Sequence, residues 1–470
     1  MLDPDLKPYE RKVTPLERML RHSPYSVVTM MARIGGDVSE TMLRDAVAKV
    51  QRRHVNLRVR IKEDQDHVPW FTSEGVGEIP VEVVPRESDE HWIEVQQEAA
   101  KVPFEFELRP AIRFILVQSP GVSEVIILCH HIICDGLSLA YLARDLMFHL
   151  GDPDRAVEVL PDPVVIDRDT MPDDVSSNPI AQLFIKRINR QWEKDRIVFD
   201  EEDYRAINEA YWARYEHRIF SIELTEAETA ALADRCRQEE VTVNSALTAA
   251  FVGAQCRVEG EKPYHPSIAI AANVRDRLQK PAGEVMGFYA GMVTLKHKYD
   301  ERLGFWANAR RLHGKVQPLF TNKSLFGQFL MWCYLDSAVL EAIHFKKLGP
   351  LVAPHHPRYQ KLSAFGRRDD VVQSILRREG QESLDRVFLG TAVTNLTRMD
   401  FPTQYGALEL DRLIMQPGGG FPLATVNLVL GVVTCAGRLS LVVEYAEATE
   451  AARPSMRQVK DTAIEFLFGG

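Results

Sequence analysis

The chain has 470 residues, more than the roughly 250–300 that a single hydrophobic core accommodates, so two domains or two fused halves are expected. Its 45% hydrophobic and 26% charged residues are those of an ordinary globular protein and exclude a disordered or fibrous chain. Lys and Arg number 57 against 66 Asp and Glu, and the net charge of -9 is spread without a long basic block. That balance argues against nucleic acid or an anionic membrane as the main partner.

The start, Met1 to Pro8, has no apolar h-region, so no secretory signal is expected. The six cysteines, Cys129, Cys134, Cys236, Cys256, Cys333 and Cys435, are scattered, which reads as free thiols in a reducing compartment and predicts a cytoplasmic protein. In chain order, Ser26 to Ile34 is β-rich, and Glu40 to Arg53 sets Leu43, Ala46, Val47 and Val50 on one helical face. Strands are expected at Leu57 to Ile61, near Pro69 to Thr72 and at Val81 to Val84, and a helix near Asp89 to Lys101. Ile112 to Gln118 and Val125 to His130 flank the turn signal Ser119-Pro120-Gly121 and predict an antiparallel pair. From Ser138 the period switches: Leu139, Leu142, Ala143, Leu146, Met147 and Leu150 recur at helical spacing. Gly151 to Asn178 lacks periodicity and reads as an exposed crossover. The expected division is 1–178, including the crossover 151–178, and 179–470.

The second part opens with helical material near Ile180 to Ile207, a strand at His217 to Glu223 and helices near Ala227 to Glu239 and Ser245 to Val258. Strands near Ser267 to Ala272 and Met292 to His297 follow. Phe305, Ala309, Leu312, Val316 and Leu319 form a helical stripe that Gly314 and Pro318 weaken or end. Residues 323–385 are the least readable. Strands return at Arg386 to Thr394, Ala424 to Cys435 and Leu439 to Tyr445, and a helix near Ser455 to Phe468 closes the chain. The stretch Leu423 to Ala436 is too short, and at Asn427 too polar, to cross a bilayer, and reads as a buried strand.

Chemistry concentrates in His130-His131-Ile132-Ile133-Cys134-Asp135-Gly136, between a strand and a helix. An element end holds a side chain rigidly against a cleft, and an imidazole titrating near neutrality can take a proton from a hydroxyl or amine and hand it to a leaving thiolate. The alternative is an ordinary buried histidine pair with Asp135 starting the helix. Gly136 permits a backbone geometry that other residues resist. Neighbouring strand residues face opposite ways, so His130 and His131 do not share an ion, and with no second ligand cluster no metal is expected. His355-His356, between Pro354 and Pro357, reads as an exposed loop.

This segment resembles the HHxxxDG signature of the condensation-domain-like acyltransferases, which include peptide condensation domains, polyketide-associated acyltransferases, wax ester synthases and alcohol acetyltransferases. Arg53-His54-Val55-Asn56-Leu57-Arg58-Val59-Arg60-Ile61 is similar to the early RHxxLRxxF motif, with Val and Ile where Thr and Phe are common. Leu108 to Arg113, Val241 to Leu247, Asn273-Val274-Arg275 ahead of Gly287-Phe288, and Val393 to Leu396 resemble further family segments in the same order. The resemblance implies an α/β (α+β) fold of two chloramphenicol-acetyltransferase-like halves, a V-shaped pseudo-dimer around a central tunnel. It implies His131 as catalytic base, with His130, Asp135, Gly136 and Arg275 supporting the loop and Arg275 pairing with Asp135. Thr394 and Asn395 are then candidates to bind substrate or the developing oxyanion, with strand capping as their alternative role.

The implied activity moves an acyl group from a thioester, on coenzyme A or an acyl carrier protein, to an alcohol, without a bound cofactor. The plant-branch DFGWG motif is absent, and Gly287-Phe288-Tyr289-Ala290-Gly291 lacks the Asn-Thr pair of peptide-forming condensation domains. No carrier-protein or adenylation region accompanies the motif. Ester formation by a free-standing enzyme is therefore the expectation, ahead of amide formation and of a catalytically silent carrier-protein-binding role.

Overall fold

The structure is a computed structural model that describes residues 6–260, 265–420, 422–448, 453 and 455–469; residues 1–5 of the amino-terminal reading lie outside them. The first third of the chain forms β1 (Glu10–Lys12), β2 (Val27–Gly35), β3 (Arg60–Glu63), β4 (Pro69–Thr72), β5 (Val81–Pro85), β6 (Ile112–Ser119) and β7 (Val122–His130). After the crossover come β8 (Tyr215–Glu223), β9 (Ser267–Asn273), β10 (Ala290–Lys296), β11 (Leu389–Met399) and β12 (Gln404–Tyr405). The last strands are β13 (Leu408–Gln416), β14 (Val426–Cys435) and β15 (Arg438–Ala448).

Two six-stranded mixed sheets carry the architecture, with orders β12-β13-β2-β7-β6-β5 and β10-β9-β11-β14-β15-β8, beside a small β1-β4-β3 sheet. β7 is the centre of the first. Val125, Ile126, Ile127, Leu128 and Cys129 are wholly buried, because a strand covered on both faces is selected for a continuous apolar run. The expected β6–β7 pair is antiparallel, with Ile112 opposite Cys129. The helix Glu40–Arg53 buries Leu43, Ala46, Val47 and Val50, and the helix Gly136–Gly151 buries the stripe from Leu139 to Leu150.

β13 enters the first sheet from the carboxyl-terminal part of the chain. It pairs antiparallel with β2, Gln416 opposite Thr29, and then delivers Pro417 to the end of β7. β14 returns to the second sheet, parallel to β11 and antiparallel to β15. The chain therefore ties the two sheets together directly beside the His-His segment.

Three expectations change in detail. Val55–Leu57 is a 3-10 turn and the strand begins only at Arg60: Leu57 N donates to His54 O at 3.1 Å and Arg58 N to Val55 O at 2.8 Å, while Asn56 Nδ2 donates to Ile133 O at 3.2 Å and Met286 O at 3.0 Å. The helical region 180–207 is two helices, Pro179–Lys194 and Glu201–Arg214. Asp200 starts the second through a reciprocal capping box with Asp203, a strong local initiation signal. Residues 323–385 form the helices Asn322–Trp332, Ser337–Leu348, Tyr359–Arg367 and Val371–Glu379. Ser337–Leu348 is buried nearly all round, which removes the polar face on which helical periodicity depends. Phe305–Val316 ends in a 3-10 turn at Pro318, as its sequence predicts.

Candidate active site

His130 and His131 sit at the exit of β7 and their backbones are already committed: His130 N donates to Ala111 O at 2.9 Å and His131 N to Ser26 O at 2.8 Å. The pleat sends their rings to opposite sides. His130 is fully buried between Phe104 and Phe106, both edge-on to its ring. Its Nε2 lies 3.1 Å from Ser23 O and its Nδ1 accepts from Ile132 N at 3.2 Å. A carbonyl can only accept and an amide can only donate, so this ring is the neutral Nε2–H tautomer. Burial pushes its pKa down to about 3.

His131 looks the other way, toward the second sheet. Nδ1 is 3.1 Å from Cys134 O in its own loop, and Nε2 is 3.1 Å from Pro417 O. Phe288 stands edge-on at 5.2 Å between ring centres. Burial lowers the His131 pKa below 6.5, opposed by the two carbonyls and Asp135. A neutral ring can donate to one of the two carbonyls only. With Nδ1–H on Cys134 O, the lone pair of Nε2 faces Pro417 O, a contact that any hydroxyl would improve.

Asp135 starts the following helix: Oδ1 accepts from Ser138 N at 2.7 Å. The same oxygen accepts from Arg275 Nη2 at 2.9 Å, and Oδ2 accepts from Tyr289 N at 2.9 Å. Arg275, in the turn after β9, also donates to Gly283 O, Val285 O and Ser138 Oγ, with its guanidinium 4.4 Å above the Tyr289 ring. Burial raises the Asp135 carboxyl pKa, but Arg275, Ser138 and Tyr289 outweigh it and hold it below the usual range. Capping and pairing are thus roles of one carboxylate. Gly136 is not in a positive-φ conformation. The reason for glycine there is close approach, since a Cβ would lie 2.6 Å from Met415 Sδ and 3.1 Å from Leu396 Cδ2.

Leu396 brings the end of β11 against this loop. Thr394 lies in the regular part of β11, just before the register shift that begins after Asn395. Thr394 pairs with Gly431 of β14, where a Cβ would meet Pro417 Cδ at 2.7 Å. Thr394 therefore borders the strap whose carbonyl meets His131. Asn395 Oδ1 accepts from Thr397 N at 2.7 Å, within the irregularity that shifts the β11–β14 register between Asn395 and Arg398. Sequence reasoning missed Ser138, Pro417 and the anchoring role of Asn56. Asn56 lies inside the RHVNL segment, a usable signal, but nothing local connects residue 417 to residue 131.

Among the described residues no group of three or more His, Cys, Asp or Glu side chains is placed to hold a metal ion. Among the described residues the six cysteines form no disulfide. Burial and the neighbouring Cys129 raise the Cys134 thiol well above 9.0, so it is no thiolate ligand. Among the same residues no helix is long and apolar enough to cross a membrane.

Residues 6–149 match the family model of the condensation domain, and residues 216–315 match that of the phthiocerol/phthiodiolone dimycocerosyl transferase C-terminus. The chain is 24% identical over 326 residues to a linear gramicidin synthase of Brevibacillus parabrevis. That match takes in 66% of this chain but 6% of the relative, so the chain spans a small part of so large a protein. Two solved structures superpose over nearly the whole length. Polyketide synthase associated protein 5 of Mycobacterium tuberculosis gives a TM-score of 0.57 at 14% identity, covering 97% of both chains. The trichothecene 15-O-acetyltransferase of Fusarium sporotrichioides gives 0.59 at 12%, covering 98% of this chain and 95% of that one. Identities this low establish a shared fold and no more.

Proposed function

On the matches of residues 6–149 to the condensation-domain model and 216–315 to the dimycocerosyl transferase model, we propose that the chain is a condensation-domain-like acyltransferase that moves an acyl group from a thioester to an alcohol, with His131 as general base. The observation that carries the reading is the pair of contacts on the His131 ring, one nitrogen held by its own loop and the other turned to the seam between the sheets. The thioester is on coenzyme A or an acyl carrier protein, the two halves divide near residue 178, and the substrates meet in a tunnel between them. The acceptor hydroxyl takes the place of Pro417 O and donates to Nε2. As its oxygen bonds to the thioester carbonyl carbon, the O–H proton passes to Nε2. Collapse of the tetrahedral adduct breaks the C–S bond, and the thiolate leaves with that proton. Such proton transfer is worth about 10²–10⁴ in rate.

The depressed pKa of His131 supports the role, because a base must be neutral at working pH. Asp135 and Arg275 are positioning residues for the loop. Thr394 is the better candidate for the oxyanion, since Asn395 is engaged with Thr397. No cofactor is required, and the setting is the cytoplasm.

Ester formation is favoured by the family model named for a dimycocerosyl transferase and by the likeness to a 15-O-acetyltransferase. Amide formation is the second reading, favoured by the likeness to a gramicidin synthase. Incubation with acyl-coenzyme A and a panel of alcohols and amines, following released thiol, tests both. Thiol release with alcohols and its loss in His131→Ala is expected. Release with amines alone overturns the ester reading, and no release with any acceptor or acyl carrier protein leaves the silent role.

A further inference from the structure

The helix Pro179–Lys194 has two apolar sides, and the fold uses only one. Ile185, Ile188 and Trp192 face inward and are buried. On the adjoining stripe Ile180, Leu183 and Phe184 are exposed at 77%, 71% and 45%, three large hydrophobics within five residues. The stripe continues toward the carboxyl end, at i+7, i+10 and i+14 from Ile180, as Arg187, Arg190 and Lys194, with Lys186 beside it. Arg378 of a neighbouring helix lies 4.4 Å over the Phe184 ring. The nearby acidic groups are Glu193 and Asp195 on this segment, Asp369 and Glu379 on the neighbouring one; Asp195 pairs with Arg368 and Asp369 with Arg377. Lys186, Arg187 and Arg190 form no ion pair among the described residues.

We propose that this end of the helix docks the protein on an anionic lipid surface, Ile180, Leu183 and Phe184 entering the acyl boundary and the cations meeting the headgroups. A helix with an apolar tip and a Lys/Arg collar suits that interface. A net charge of -9 repels such a surface at long range, but the charge within a Debye length of the helix governs adsorption. Residues 180–196 hold Lys186, Arg187, Arg190, Lys194 and Arg196 against Glu193 and Asp195. A convex tip of three side chains is too small for a specific protein interface, which needs about 800 Å² per partner. A bilayer demands no matching shape. This inference stands apart from the acyl-transfer reading, because its readout is binding.

The test is sedimentation of the full chain with phosphatidylcholine vesicles, with and without phosphatidylglycerol, at low and physiological salt. Binding to the anionic vesicles is expected. Lys186→Glu with Arg187→Glu and Arg190→Glu should lower partitioning on the order of a hundredfold, from about 1 kcal/mol per cation. Ile180→Ser with Leu183→Ser should lower it about tenfold or more, with melting temperature unchanged in both sets. No binding to anionic vesicles, or binding that neither set weakens, overturns the proposal. So does a dimer, or a complex with a purified acidic acyl carrier protein, that forms through these residues while vesicles are ignored.

Discussion

The two sides of the His-His segment are built from adjacent residues and behave oppositely. On the His130 side everything is closed: both ring nitrogens have partners of the correct kind, two phenylalanines flank the ring, and burial keeps it neutral. On the His131 side one nitrogen faces a carbonyl that offers it no proton, in a seam shared with the strap after β13 and with Phe288. A polar group with satisfied partners is a structural element, whereas one whose lone pair meets another acceptor is poised to take a different partner. The pleat of one strand separates the two surroundings by a single peptide bond.

The largest expected effect breaks the two sides apart. His131→Ala should lower turnover by about 10²–10⁴ with little change in melting temperature. His130→Ala should instead destabilise by about 2–4 kcal/mol, through a cavity and two orphaned backbone groups. Retained turnover in the first variant, or lost turnover without lost stability in the second, would reverse the assignment.

A second test asks whether the loop is held as one unit. Asp135→Asn and Arg275→Gln should each cost about 3–5 kcal/mol, because either change leaves a buried charge uncompensated. The double variant should be no worse than either single one. Fully additive losses in chemical denaturation would mean that the 2.9 Å contact carries no coupling.

The His131 side can be sharpened further. Thr394→Val should raise the barrier to turnover by about 2.7–4 kcal/mol if its hydroxyl meets the oxyanion, and Asn395→Ala by less, because its side chain is engaged by Thr397 N in the β11 bulge. Equal small losses for both would return Thr394 to a packing role.

The last effect is read in the pH dependence of stability. His130, and His344 on the helix Ser337–Leu348 with Nδ1 2.7 Å from Tyr25 Oη, are buried with pKa values pushed down to about 3 and about 4. Both are neutral in the native state, while unfolded histidines protonate below about 6.5. Stability is therefore full above pH 6.5 and falls as pH drops toward the native values, by about 2 kcal/mol per histidine between pH 6.5 and 5. Melting curves across that range should show the loss, and His130→Gln should reduce it. A flat profile would mean that these rings are already accessible to protons.

Local pattern reaches far into this fold and this site. The continuous apolar run of β7, the hairpin before it and the switch to helical period after Ser138 place the His-His segment at an element junction, because strand and helix periods are written in nearest neighbours. Family-like motifs extend that reading to Asp135 and Arg275, 140 residues apart. The helix Ser337–Leu348 is illegible because its burial on nearly every side removes the amphipathic period.

What the sequence determined by itself is thus the place of the His-His segment between a strand and a helix, the alternation of strands and helices, and the opposed directions of two adjacent histidines. What only the tertiary structure decided is which groups surround them. β13 is absent from the sequence reading, and its pairing with β2 brings Pro417 to His131 across 286 residues. Gly136 is required by the approach of Met415 and Leu396 and not by its own backbone angles. Thr394 and Asn395 separate into different surroundings only once β11 and β14 are in register. Contacts of that kind depend on sheet order and on chain reversal between sheets, which no local period encodes.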